Sequence, residues 1–169
     1  MARKRYKINY CLGTCFAVPL RGGGYARGVV ARMSGNGGVF GYFFGPKIDS
    51  EKDLSIDENW KARDAVLAQR FGDLGLVENE WKTLGTLPGF KPEDWPMPEF
   101  VRYNDDGSMA FISRYDDETL DFVRERKVPA AEACDPSLLP DGVAGFGAVE
   151  LRLTALLGKG NAKPKKQGQ

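Results

Sequence analysis

Three cysteines and several clusters of carboxylates are the side chains with chemistry to offer in this 169-residue chain, because histidine is absent. Histidine is the commonest neutral-pH base and the commonest metal ligand, so Ser-His and Cys-His pairs and zinc-imidazole sites are excluded at once. Cys11 and Cys15 stand four apart. On a strand they would share a face, and on a helix they would lie one turn apart. A structural zinc takes four ligands, and Cys134 is the one thiol left to add. The thiols therefore read as buried and inert, with no metal, no cofactor and no catalytic residue assigned.

The acidic residues give two further patterns. Asp49, Glu51 and Asp53 match the first, third and fifth positions of a calcium loop, but Leu54 stands where that loop needs glycine and Trp60 where it closes with glutamate. Asp105 with Asp106, and Asp116 with Asp117 and Glu118, flank a predicted hairpin. As a hydrolytic acid/base pair they would need a shielded site; in solvated turns the functional reading left to them is an acidic binding rim. Glycines at 22–24 and 35–38 lack the Gly-Lys-Ser or Gly-Lys-Thr of a phosphate loop and read as hairpin turns. Among Trp60, Trp81 and Trp95, Trp95 lies between Asp94 and Pro96 and is expected to be exposed, as an apolar anchor for a partner.

The elements that would position these groups are mostly strands. Residues 14–20, 25–33 and 39–44 are β-rich runs, and the last is apolar on both faces, as in a small barrel or under a helix. Ser55 and Glu58 have capping-box spacing, predicting a short helix through Trp60 to about Arg63. Strands are expected over 65–71 and 81–87, then a proline-rich connector over 88–98. Residues 100–103 and 109–115 form a hairpin around Asp106-Gly107. A strand over 120–128, a helical turn over 130–134 and a terminal helix ending at Gly158 complete the chain, with a basic tail from Ala162. The fold class is α+β, mainly β: a small bent SH3-like barrel with an added hairpin and a C-terminal helix.

Composition sets the limits. A chain of this length with 42% apolar residues suits one domain of roughly 100–200 residues. Lys plus Arg is 24 against 23 Asp plus Glu, so no global field draws in nucleic acid or a membrane surface. The charged N-terminus is not followed by the apolar stretch of a signal peptide, and no run reaches the 18 or so residues of a membrane span. Three cysteines are too few for a secreted disulfide framework, which points to the cytoplasm.

The ordered blocks Gly13-Thr-Cys-Phe-Ala-Val-Pro-Leu20, Gly24-Tyr-Ala-Arg-Gly-Val-Val30 and Gly41-Tyr-Phe-Phe-Gly-Pro46 resemble the opening of the immunity protein 26 family. Arg70-Phe-Gly-Asp-Leu-Gly-Leu76, Trp81 with Leu84-Gly85, Asp94-Trp-Pro-Met-Pro98 and Gly147-Ala-Val-Glu-Leu-Arg-Leu153 resemble its later blocks. The resemblance implies a mostly β, cytoplasmic antidote of bacterial polymorphic toxin systems, which binds and neutralises a cognate toxin by occlusion. The resemblance runs from about Gly13 to Leu157, giving one immunity-type domain over 13–158 after an N-terminal extension, 1–12; residues 159–169 carry too little apolar surface to fold and are expected to be a disordered basic tail. Trp95, Asp105, Asp106, Asp116, Asp117 and Glu118 are then the candidate partner-binding residues, suited to the basic cleft of a nuclease-like toxin. A branch of the family carries a phosphotriesterase label, so an organophosphate hydrolase is the rival. That chemistry ordinarily uses two metal ions held partly by imidazoles, which this chain lacks. A nucleic-acid-binding barrel is the third reading, opposed by the near-zero net charge.

Overall fold

A computed structural model describes residues 6–158. The predicted tail, 159–169, lies outside them. In chain order the elements are β1 (Thr14–Pro19), β2 (Tyr25–Met33), β3 (Gly38–Ile48), β4 (Leu67–Gly72), α1 (Leu74–Val77), β5 (Thr83–Thr86), β6 (Phe100–Tyr103), β7 (Met109–Tyr115), β8 (Phe122–Pro129), β9 (Leu139–Pro140), β10 (Val143–Ala144) and α2 (Phe146–Leu157). They make two sheets. One has six strands in the order β10-β4-β3-β2-β1-β5, the other four in the order β8-β7-β6-β9.

Why β3 is apolar on both faces is now clear. Side chains alternate across a strand, so Val39 and Phe43 point one way and Phe40, Tyr42 and Phe44 the other. The first set joins Phe16, Phe71, Leu76, Trp81, Val149 and Leu153 in a core closed by α1 and α2. The second joins Cys15, Val29, Trp60, Leu87, Trp95 and Phe100 in a core closed by the four-stranded sheet and its connectors. The six-stranded sheet is thus the middle layer of three. Each large side chain fully buried in either core contributes about 1.5–3 kcal/mol. Close packing also dictates one glycine: a Cβ on Gly28 would lie 2.6 Å from the Phe16 ring.

The meander β1-β2-β3 and the hairpin β6-β7 form where the residue pattern places them. The hairpin pairs Phe100 with Ser113 and Tyr103 with Ala110, and Gly107 adopts the left-handed φ of 71° that its turn requires. Tyr10, ahead of β1, is buried in the helix-side core and donates its hydroxyl to Asp73 (2.7 Å).

Three expectations are corrected. The sheet does not close into a barrel: β5 and the two-residue β10 are its edges and do not pair with each other. β10 arrives from the C-terminal half, parallel to β4, and takes up the edge on which closure depends. The capping-box helix is absent too, replaced by single 3-10 turns at Glu51–Asp53 and Ala62–Asp64. Between them the Ser55 carbonyl accepts from Arg27 Nη1 (3.0 Å), Asp57 caps the Asn59 amide (2.9 Å), and Trp60 lies flat on Phe44 with ring centres 4.6 Å apart. These tertiary contacts outcompete a short helix, whose intrinsic stability is marginal. Lastly, Cys11 and Cys134 are exposed, and Cys15 alone of the three is buried. Cys11 sits ahead of β1, its amide bonded to Thr14 Oγ1 (2.9 Å), so it shares no strand face with Cys15. Among the described residues no helix is long and apolar enough to cross a membrane.

Candidate functional site

Three arginines occupy the face of the six-stranded sheet that looks toward the four-stranded one. Arg27 stands across from Phe44, and Arg32 and Arg70 each stand across from Phe40, so all three share the face of that core. All are buried, at 6–7% exposure. A buried guanidinium persists when hydrogen bonds and counter-charges replace its water. Arg27 bonds the Ser55 and Gly45 carbonyls and lies 4.9 Å from the Trp60 ring centre. Burial pulls its pKa below the ordinary value, with Asp57 acting in the opposite sense. Arg70 pairs with Asp141 and lies against the Tyr115 ring. Each arginine fastens a different covering segment onto the sheet.

Arg32 is the one whose segments frame a cleft. Its Nη1 bonds the Ala31 carbonyl (2.7 Å), its Nη2 the Pro92 carbonyl (3.2 Å), and its Nε faces Asp117 (3.4 Å). One guanidinium therefore ties the end of β2 to both the 92–94 turn and the β7-β8 turn. Between these walls is a cleft of about 540 Å³. Leu12, Met33 and Pro92 give it apolar surface; Glu93, Asp117 and Glu118 bring exposed carboxylates to it. With Arg32 engaged internally, the cleft presents negative charge beside an apolar patch.

Of the acidic residues expected to form one surface, the structure brings together Asp117 and Glu118, both lining this cleft. Asp116 has a different task. Its Oδ1 accepts from the Thr119 amide (2.8 Å) and the Glu118 amide (2.9 Å), which shapes the turn and holds its carboxyl below the usual range. Asp105 and Asp106 lie beyond the other end of β7, a seven-residue strand. At about 3.3 Å per residue that separates the two acidic groups by roughly 20 Å. Hydrogen bonds from Ser108 lower the Asp106 pKa in the same way.

The exposure expected of Trp95 is corrected. It is 3% exposed, edge-on to Tyr42 with ring centres at 5.3 Å and near-parallel to Phe90 at 6.3 Å. Its flanking Asp94 and Pro96 belong to a connector that folds over the sheet, and the indole is the wedge that holds it there.

Reading the sequence missed the arginines. Their signal was present: Arg27 has the same parity as Val29 and Ala31, which places it on an apolar face of β2.

The model of the family described as immunity protein 26 matches residues 12–110, more than half of the chain. The chain belongs to the immunity protein 26 family. No curated protein and no solved structure matches it. The match holds Leu12, Arg32, Met33, Pro92 and Glu93 of the cleft, together with Trp95, Asp105 and Asp106; Asp117 and Glu118 lie beyond it. One wall of the cleft therefore lies within the matched region, and the other, Asp117 and Glu118, lies in the C-terminal part outside it. Among the described residues no group of three or more cysteine, aspartate or glutamate side chains is placed to hold a metal ion.

Proposed function

We propose that this chain is a cytoplasmic bacterial antidote that binds a cognate polymorphic toxin and neutralises it by occlusion. The family match carries this reading, because immunity proteins act on a toxin partner. The surface supports it: Asp117 and Glu118 stand exposed on a turn whose backbone is shaped by Asp116 and tied to Arg32 through Asp117, so the turn that carries the charges is formed before a partner arrives. Fixed charges of one sign steer an oppositely charged surface and set its register. A toxin with a basic, nuclease-like cleft fits that field.

The test is co-purification with the product of an adjacent gene whose C-terminal domain is toxic, followed by charge reversal. Asp117→Lys with Glu118→Lys is expected to weaken toxin binding by about 100-fold, mostly through slower association at low salt. Toxin binding unchanged by the reversal removes this turn from the interface, and a chain that captures no toxin at all removes the antidote reading.

A further inference from the structure

We infer that the cleft beside Arg32 receives a lysine or arginine side chain projecting from the toxin, a refinement that rests on the toxin-binding reading above. Three carboxylates, Glu93, Asp117 and Glu118, line this cleft against a single guanidinium, leaving an excess of two negative charges. The guanidinium cannot serve an incoming anion. Arg32 is buried and already bonded to Ala31, Pro92 and Asp117. The shape of the lining adds to the charge. Leu12 keeps 38% of its surface exposed, and with Met33 and Pro92 it offers an apolar path beside the carboxylates.

Long cationic side chains match this combination, since they lay a methylene stem along apolar surface while the charged head seeks carboxylates. Glu93 and Glu118 come from different segments, so a planar guanidinium or a rotating ammonium entering between them meets acceptors on both sides. In open water such pairs are worth little, and a docked partner raises their value by excluding solvent from the cleft. Arg32 is a positioning residue here: it fixes the distance between the two walls through Pro92 and Asp117.

The experiment titrates the isotope-labelled full chain with the blocked tripeptide acetyl-Gly-Arg-Gly-amide and with its citrulline counterpart, which keeps the shape and loses the charge. The arginine peptide is expected to shift the amides of Leu12, Met33, Glu93 and Glu118 saturably, and about tenfold more tightly than the citrulline peptide. Glu93→Gln with Glu118→Gln should reduce the affinity about tenfold, while Glu132→Gln, on a remote turn, leaves it unchanged. Equal binding of the two peptides, or shifts scattered over the acidic surface, overturns the inference. A toxin pull-down separates the two levels. Capture by the wild-type chain and equally by the double variant removes the cleft but keeps the antidote; failure of capture alongside specific peptide binding does the reverse.

Discussion

The guanidinium carbon of Arg70 lies 3.6 Å from the centre of the Tyr115 ring, and both side chains end on Asp141, to which Tyr115 donates its hydroxyl at 2.8 Å. Arg70 belongs to the six-stranded sheet, Tyr115 to the four-stranded one, and Asp141 to the link between β9 and β10. Phe100 completes the group, its ring centre 4.7 Å from the same guanidinium. The clasp joins the two sheets.

Removing the anion from this clasp is expected to cost more than removing the whole pair. Asp141→Ala leaves a buried guanidinium without its counter-charge and should cost about 3–5 kcal/mol. Arg70→Met combined with Asp141→Leu should cost less than that single change, since no unpaired charge remains. Urea unfolding midpoints of the three proteins decide the order.

Two glycines should respond oppositely to alanine. Gly28→Ala drives a Cβ to 2.6 Å from the Phe16 ring and should cost about 1–3 kcal/mol. Gly72 has nothing within 4 Å of such an atom, so Gly72→Ala should be neutral or stabilising by about 0.4–1 kcal/mol. Thermal melts of the two variants check the contrast.

Tryptophan fluorescence tests the corrected place of Trp95. Trp60, Trp81 and Trp95 are all buried. Native emission should be blue-shifted and insensitive to iodide, with quenching appearing only on unfolding. A fraction of native emission quenched with high efficiency, and lost in Trp95→Phe, would place the indole back in solvent.

Thiol chemistry divides the cysteines two against one. Cys11 and Cys134 are exposed and should react rapidly with a disulfide reagent, whereas Cys15 should wait for unfolding. Burial pushes the Cys15 thiol up to about 12. An unfolded thiol titrates near 8.5, so above that pH the unfolded chain releases a proton that the folded chain keeps. Stability should therefore fall as pH rises from about 8.5 toward 12, and Cys15→Ala should fall less steeply over the same window.

Much of the architecture was legible because it is local. The glycine turns, the alternation in β1 to β3 and the Asp106-Gly107 hairpin each encode structure within a few residues, as does the apolar spacing of α2. What was not legible depends on contacts distant in sequence. The open sheet carries Val143 and Ala144 from the C-terminal half on its β4 edge, and residues 55–60 are held by Arg27 and Phe44. The site divides in the same way. Asp117 and Glu118 could be named from their charge and turn position, but Glu93 joins them only because Arg32 grips the Pro92 carbonyl from the sheet below. Trp95 misled because its polar neighbours describe the connector's outer surface, while the indole points into the core.

Occlusion makes a stoichiometric demand that catalysis does not. Titrating the toxin's activity with the purified chain should lower it in proportion to the amount added, reaching zero near one equivalent, with no product formed from ester or phosphotriester substrates by the chain alone. Toxin activity that persists beyond several equivalents, or substrate turnover by the chain without toxin, would contradict the account.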